Sequence, residues 1–383
     1  MGLFQWRRPV EQRSVVLPTG PFSATGLTPE VTAATSLQVV AVRSVVDFIA
    51  SMVSELPLDV FRGKGVNRRE MAVPDHLQDP AGDGSGYEDW TYQLLMSWLL
   101  RGNAYGEVQA LSNAGLVTQL SWLYPDDVRG VQRSDGTVEW TVNGRSAPGL
   151  QHRRVNSVPG RVLGLSPVEF HATTLGLSLS SSRFGADWFD QGAHPGALLT
   201  NDQALDASQA KVAKQRFREA TRTSGEPLVL GKGWDYKQIQ VAPEESQFLE
   251  TQRYTEGQCA RIFGPGLAEV FGYESGDSMT YANVVERRSD VLVFSLNKWA
   301  RRVERVLTSM LPGQQYAKFN RDALLEATTL ARYQAHAIAL QNGFKVVNEV
   351  RADEDMPEVA WGNEPFKPLS AAGQTGGGNG NPA

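Results

Sequence analysis

The sequence lacks the features that mark several common protein classes. It has one cysteine, Cys259, among 383 residues, and its five histidines are scattered. A single thiol cannot form an intrachain disulfide, and no Cys/His set has the spacing of a structural zinc site. The chain starts without the apolar core of a signal peptide, and about 18 uncharged apolar residues never run together. We therefore expect a soluble, unanchored chain of a reducing compartment.

Signatures of nucleotide-binding and hydrolytic enzymes are also missing. Gly63-Lys64-Gly65 and Gly231-Lys232-Gly233 lack the upstream glycine and the Ser/Thr that a P-loop needs to hold phosphates and magnesium. Gly264-Pro265-Gly266 ends a predicted helix, whereas a dinucleotide fingerprint joins a strand to a helix. The sequence has neither a Gly-x-Ser-x-Gly elbow nor a His-Glu-x-x-His pair. No catalytic residue, metal ligand or cofactor is predicted.

A few titratable residues admit a second interpretation. Asp126-Asp127 and the 353–355 acidic run have the chemistry to bind a cation, but each stands in loop-like sequence, where solvation is the simpler explanation. His152 and His171 are interpreted as structural residues for want of any catalytic partner motif.

Basic charge is not in excess. The chain has 37 Lys and Arg against 42 Asp and Glu, a net charge of −5, which argues against a protein that clamps nucleic acid over its whole surface. The distribution is uneven, however. Residues 267–280 contain acids and no Lys or Arg, whereas bases outnumber acids in 281–311. Hydrophobic residues make up 41%, which is typical of a globular chain.

The apolar periodicity and the turn residues predict an α+β protein. Ser166, Pro167 and Glu169 form a helix start, and Asn143-Gly144 is a strong hairpin signal. An N-terminal arm over 1–30 and a disordered tail after about 365 flank the folded part. The pattern predicts helices over 31–56, 89–101, 167–189, from Asp206 to about 222, 244–263, 281–311 and 322–341; strands over 58–62, 197–200, 227–230 and 236–241; an exposed loop over 63–86; and a small antiparallel unit over 105–162.

Short motifs also occur in a fixed order between residues 31 and 351. They are Leu56-Pro57-Leu58, Leu99-Leu100-Arg101-Gly102-Asn103-Ala104-Tyr105, Leu123-Tyr124-Pro125-Asp126-Asp127-Val128, Gly164-Leu165-Ser166-Pro167, Gly192-Ala193-His194-Pro195-Gly196, Phe248-Leu249-Glu250 with Ala260-Arg261-Ile262-Phe263-Gly264, and Asn342-Gly343 with Asn348-Glu349-Val350-Arg351. In this order the motifs resemble the portal proteins of long-tailed double-stranded-DNA phages. Members of that family usually carry a Val-Pro-Pro-like step where this chain has Gly264-Pro265-Gly266-Leu267, which leaves the path of the next loop open.

The resemblance implies a subunit of a ring, typically of twelve copies, at one capsid vertex. It implies a portal fold with a wing, a two-helix stem, an α/β clip insertion, a long wing helix and a short helical crown. The implied boundaries are an arm at 1–30, the first part of the wing at 31–165, stem helices at 166–193 and 244–263, the clip at 194–243, a tunnel loop at 264–280, the wing helix at 281–320, the crown at 321–352 and a tail at 353–383.

The resemblance also implies sites. The tunnel loop would face DNA, and we expect an acidic or neutral lumen because a ring of lumen-facing lysines would brake the duplex. The expected channel residues are Glu269, Gly272, Tyr273, Glu274, Gly276 and Asp277. The expected docking residues in the clip are Lys211, Lys214, Arg218 and Arg222. An ordinary solvated loop remains the alternative for 267–280.

The implied partners are other copies of the chain, double-stranded DNA passing without sequence specificity, the terminase large subunit, the head–tail adaptor, and the major capsid protein with its scaffold. The implied location is the portal vertex of the virion, after assembly in the host bacterial cytoplasm. Because the chain lacks a P-loop, the ATP-driven motor would be another protein. Two alternatives stay open: an adaptor or tail ring, which should lack the paired helices around an insertion, and a nucleic-acid-processing enzyme with an unrecognised site.

Overall fold

The computed structural model describes residues 15–17, 30–190, 197–201, 206, 208, 211–212, 215, 234–238, 244–273, 291–321, 329–354 and 356–364. The chain is mixed helix and sheet and divides into two compact units, residues 1–318 and 319–383. The strands are β1 (Val15–Leu17), β2 (Leu58–Arg62), β3 (Arg69–Met71), β4 (Asn103–Leu111), β5 (Val117–Leu123), β6 (Val128–Gln132), β7 (Val138–Val142), β8 (Arg145–Ser146), β9 (Gln151–Arg154), β10 (Ala197–Asn201), β11 (Trp234–Gln238) and β12 (Gln315–Phe319). The helices are α1 (Ala33–Ser36), α2 (Val40–Ser54), α3 (Asp75–Gln78), α4 (Gly86–Arg101), α5 (Pro167–Phe170), α6 (Ala172–Asp190), α7 (Glu244–Arg261), α8 (Leu267–Val270), α9 (Asn297–Thr308), α10 (Thr329–Gln341) and α11 (Val347–Asp353).

The core of the first unit forms where α2 packs against α4. Val42, Val46, Ile49 and Val53 recur at three- and four-residue spacing along α2 and are fully buried. The α4 face that meets them includes Leu95, also fully buried. Burying a side chain of this size stabilises the fold by about 1.5–3 kcal/mol. The hydrophobic spacing in 31–56 therefore identified the helix face that anchors the unit.

Two small sheets extend from this core. β4 is the central strand of the order β5-β4-β9, and the other sheet has the order β1-β6-β7-β8. All their strand pairs are antiparallel. The hairpin predicted at Asn143-Gly144 is confirmed: the two residues have φ of 49° and 79° between β7 and β8. Positive φ at both positions is what a two-residue hairpin turn requires.

Tryptophans join α4 to the first sheet through their indole N–H groups. Trp90 donates to the Leu120 carbonyl of β5 at 2.5 Å, and Trp98 donates to the Arg153 carbonyl of β9 at 2.9 Å. Both indoles are almost completely buried. Each ring thus fills the interface and satisfies its single donor, so helix and sheet are fixed in one relative position.

Three predicted elements differ from the structure. The 31–56 helix is interrupted: α1 ends at Ser36, Val39 is extended with ψ of 115°, and α2 begins at Val40. Residues 63–86, predicted as a loop, contain β3, which forms because it pairs with β2, and the short helix α3. The 167–189 helix is interrupted at His171, with φ of −110° and ψ of 25°, between α5 and α6.

The second unit contains α10 and α11, joined by an ion pair. Glu354 accepts hydrogen bonds from two nitrogens of Arg332, the second at 3.0 Å. These bonds, followed by one from His336, hold the pKa of Glu354 below its usual value. Asn348 anchors the following segment by bonding both the carbonyl and the N–H of Val359 at 2.9 Å. Within the ranges given above, no helix is long and apolar enough to cross a bilayer.

Candidate functional site: the helix pair and the segment that follows it

Two long helices, α6 and α7, pack together. In the sequence they flank the 191–243 insertion. Ser178, in the first half of α6, hydrogen-bonds to the thiol of Cys259, close to the end of α7. At the other end, Ala197 follows α6 and Gln238 precedes α7 by only a few residues, and these two residues pair with each other. The helices therefore run in opposite directions. Inside the insertion, β10 pairs antiparallel with β11, from Ala197 with Gln238 to Asn201 with Trp234. The described residues between the two helices in the sequence thus include an antiparallel strand pair.

Apolar side chains of both helices are buried where the helices meet. Leu175, Leu179, Cys259 and Ala260 are buried there. Burial raises the pKa of the Cys259 thiol to about 11. The thiol therefore packs in the interior as a buried apolar side chain does. It is not a nucleophile at neutral pH.

The turn after α7 is attached to residues 291–298. Ser295 donates to the Pro265 carbonyl at 2.7 Å, and Lys298 donates to the Phe263 carbonyl at 3.2 Å. A Cβ at Gly264 would stand 2.6 Å from the Ser295 oxygen, so only glycine allows this approach. Gly266, with φ of 78°, then begins α8. The chain therefore leaves the helix pair at a defined position and angle.

The expected loop over 267–280 is wrong for its first four residues. They form α8, in which Leu267 and Ala268 are fully buried, because these apolar residues pack against α7 and the 291–296 turn. Glu269, expected in the loop, lies in this helix, and its Oε2 atom is buried without a hydrogen-bond partner in the part of the chain that the structure describes. The acidic residues of the segment predicted an exposed loop. The burial of Leu267 and Ala268 instead favours a helical turn.

Gly272 and Tyr273 lie at the end of the described part of this segment. Gly272 has φ of 73°, and Tyr273 N–H donates to the Ala268 carbonyl at 2.9 Å. The Phe271 ring contacts Phe48 of α2 edge-on at 5.4 Å, and Tyr273 stacks on Phe271 at 6.3 Å. The segment is thus anchored as far as residue 273. Glu274, Gly276 and Asp277 lie outside the described residues.

Other expected residues are only partly described. Lys211 is exposed, while Lys214, Arg218 and Arg222 lie outside the described residues. The expected 281–311 helix is described from 291 onward, where a π-helical turn over Val291–Leu296 precedes α9. On α9, Trp299 is buried, and Lys298 and Arg302 each lie 5.2 Å from its ring. The exposed face of α9 is basic, with Arg301 and Arg305 on the surface.

A polar cluster that the sequence did not reveal as a site joins several of the motifs. Asn103 Oδ1 accepts from the Gly164 N–H at 2.8 Å, and its amide donates back to the Gly164 carbonyl at 3.0 Å. His152 Nε2 lies 2.9 Å from the same Asn103 oxygen. Ser166 donates to the Leu100 carbonyl at 2.7 Å and caps α5. The cluster brings the 99–105 and 164–167 motifs into one buried contact, which accounts for their polar residues.

Three of the carboxylates weighed as cation ligands have basic partners. Asp126 forms an ion pair with Arg101, in which one bond is 2.8 Å and both side chains are mostly buried. Asp353 pairs with Lys345 on the surface of the second unit. In the described ranges, no group of three or more His, Cys, Asp or Glu residues is arranged to hold a metal ion. Asp126, Asp353 and Glu354 thus have arginine or lysine partners, and Asp355 lies outside the described residues.

Comparison with known proteins identifies the class. Residues 40–355 match the model of the family described as phage portal protein, so the chain belongs to that family. It is 27% identical over 370 residues to the "Probable portal protein" of Streptomyces phage phiC31, covering 88% of this chain and 78% of that one. It is 23% identical over 372 residues to the "Portal protein" of Enterobacteria phage HK97, covering 90% and 85%.

Solved structures share the fold. A chain in the "Virion of native gene transfer agent (GTA) particle" superposes with a TM-score of 0.59 at 23% identity, covering 85% of this chain and 92% of that one. An HK97-family phage portal protein from Corynebacterium diphtheriae superposes with a TM-score of 0.56 at 17% identity, covering 77% and 97%. The expectation of a portal-type mixed fold, made from the order of the motifs, is confirmed at this level.

Proposed function

We propose that the chain is the subunit of a homo-oligomeric ring that forms the channel for double-stranded DNA at one capsid vertex. The ring would serve packaging and ejection and would reside in the virion after assembly in the host cytoplasm. The observation that carries the proposal is the match to the portal family over 316 of 383 residues, 40–355. Twelve copies are proposed because a matching chain comes from the "Neck of native GTA particle computed with C12 symmetry", with a TM-score of 0.58.

Purified protein tests the ring directly. Twelve copies of a 41.9-kDa chain give a particle of about 500 kDa. Light scattering should report that mass, and end-on electron microscopy should show a closed ring with a central opening. A monomer at micromolar concentration by both methods would contradict the proposal. A ring without an opening wide enough for a duplex would favour an adaptor over a channel.

The acidic segment beyond residue 273 is proposed to face the DNA. An acidic bore repels the duplex weakly and holds no phosphate, whereas lysines repeated around a ring would slow its passage. The Glu274→Lys/Asp277→Lys variant should reduce DNA translocation in a packaging assay. The matched control is Glu358→Lys/Glu364→Lys, which makes the same charge change at exposed acids of the second unit. Equal packaging by both variants would refute the proposed lining.

Glu269 needs its own variant because it lies in α8. If its carboxylate reaches the bore, Glu269→Lys should slow packaging as the 274/277 variant does. If it serves only the packing of α8, Glu269→Lys should lower the unfolding temperature and Glu269→Gln should not slow packaging. Measuring both properties for both substitutions separates the two roles.

The basic surface of the insertion is proposed to dock the terminase large subunit and, later, the head–tail adaptor. Lys211 is exposed, as a docking residue must be. Reversing Lys211, Lys214 and Arg218 to Glu should weaken partner binding at least tenfold and leave the ring intact. The control reverses three exposed bases of the first unit, Arg69, Arg145 and Arg161. Wild-type affinity in the first variant would contradict the assignment. The major capsid protein and scaffold remain proposed partners of the outer surface.

A further inference from the structure

Two Asn-Gly pairs within the described residues stand in different backbone settings. Asn143 and Gly144 form the turn between β7 and β8, where φ is 49° and 79°. Asn342 and Gly343 follow α10, and Gly343 has φ of 69° just after the end of that helix. In both places glycine supplies a positive φ at no steric cost. The same dipeptide therefore occurs once in a hairpin turn and once at a helix C-terminus.

An asparagine followed by glycine carries both groups of an intramolecular reaction. The glycine backbone nitrogen loses its proton and attacks the side-chain carbonyl carbon of the asparagine. A C–N bond forms, the bond from that carbon to the side-chain amide nitrogen breaks, and ammonia leaves with the proton. Water then opens the cyclic imide. Cleavage on the side-chain side gives aspartate, and cleavage on the main-chain side gives isoaspartate. Glycine has no side chain to hinder the attack.

At Asn342 the nucleophile and the leaving group are both held in hydrogen bonds. The Gly343 N–H donates to the Leu340 carbonyl at 3.1 Å. The side-chain amide of Asn342 donates to the Ile338 carbonyl at 2.8 Å, and its backbone N–H donates to the same carbonyl at 3.1 Å. Ring closure at this site must therefore break the bonds of both reacting groups and open the end of α10.

At Asn143 the backbone bond to a neighbouring element uses an atom that the reaction leaves alone. The Asn143 N–H donates to the Asp127 carbonyl at 2.9 Å, whereas ring closure uses the Gly144 nitrogen and the Asn143 side chain. The strand that follows the turn consists of Arg145 and Ser146, which pair with the last two residues of β7. Opening this two-residue strand gives the turn the freedom to reach the geometry of attack, and no helix has to unwind.

We propose that Asn143 is a site of spontaneous deamidation in the folded protein and that Asn342 is protected by the end of its helix. Isoaspartate adds a methylene to the backbone of a two-residue turn whose length fixes the register of β7 with β8. Either product also places a carboxylate on the wall of a cavity of about 700 Å³, which Asn143 lines together with Arg145 and Leu150. The inference is independent of the proposed ring.

Peptide mapping by mass spectrometry, after ageing in mildly alkaline buffer, measures the reaction at each site. Each hydrogen bond that must break first slows ring closure by about fivefold, so the Asn143 peptide of the folded protein should convert at least about tenfold faster than the Asn342 peptide. In urea the two peptides should convert at similar rates, because the dipeptide is the same. Asn379-Gly380 lies outside the described residues and is followed as a separate peptide.

Asn143→Gly is the matched control for the effect on the hairpin. The Gly-Gly pair suits the same turn and cannot deamidate. Hydrogen exchange over residues 138–146 should become faster in the aged wild type and stay unchanged in the aged variant. An Asn143 peptide that stays intact in the folded protein while it converts in urea overturns the proposed site. Equal conversion of Asn143 and Asn342 in the folded protein overturns the proposed protection.

Discussion

His152 should make the first unit lose stability in mild acid. Its ring is stacked on Tyr105 at 5.0 Å and lies 5.0 Å from Trp140. Asn103 Oδ1 already accepts from the Gly164 N–H, and as a pure acceptor it requires His152 Nε2 to donate. Burial, with a contribution from Arg154, lowers the pKa of His152 to about 4. The folded chain therefore holds this imidazole neutral.

The sign of the effect follows from proton binding. The unfolded chain binds a proton at a pKa of about 6.5, and the folded chain binds it only near 4. The contribution is fully present above pH 6.5 and is lost as the pH falls from 6.5 to 4, because the proton stabilises only the unfolded state. Between pH 7 and pH 5 the loss is about 2 kcal/mol.

Unfolding in urea at pH 7 and pH 5 measures this loss. The wild type should lose about 2 kcal/mol more than His152→Gln between the two values, since the variant keeps a donor and cannot titrate. His171→Gln makes the same substitution at an exposed position and is the control for the change of side chain. Equal pH dependence in the wild type and in His152→Gln would refute the reasoning, whatever the absolute stabilities are.

Two further predictions concern the motif at 99–105. Gly102→Ala should destabilise the fold by more than about 3 kcal/mol in thermal or urea unfolding, because φ is 71° and a Cβ would stand 2.2 Å from the Leu165 carbonyl oxygen. Gly115→Ala, at φ of 75° with open space, should cost only about 1 kcal/mol, and equal losses would contradict the steric argument. Asp126→Asn should cost about 2 kcal/mol by leaving the mostly buried Arg101 without its charged partner, and Arg101→Gln in the same chain should then add little; additive losses would show that the pair is not coupled.

Much of the fold followed from local signals in the sequence. Pro57 marks the end of the α2 region, Ser166 and Pro167 mark the start of α5, and Asn143-Gly144 marks the β7–β8 hairpin. In each case the residue type itself dictates the backbone conformation, through a missing N–H, a capping hydroxyl or a positive φ. Gly102 belongs to the same class, since glycine readily adopts the left-handed conformation, with φ of 71°, in which it ends α4.

Other features depend on contacts between distant residues and were not predictable from one sequence. The Arg69–Met71 sequence of β3 resembles a loop, and it forms a strand because it pairs with β2. Glu269 was expected in an acidic loop, but it lies in α8, which forms because the Leu267 side chain is buried. The role of Asn103 is set by Gly164, 61 residues later. The order of short motifs was the sequence signal that did indicate their joint importance.

The buried Cys259 has a practical consequence for following this protein in action. At a pKa of about 11, the thiol is almost entirely protonated at pH 7.5, and the sulfur is fully covered by its neighbours. Maleimide dyes should therefore not label the native chain. A cysteine placed on the surface would be the sole labelled position. The wild-type sequence is thus ready for single-molecule fluorescence, with no need to disturb the packing of α6 against α7.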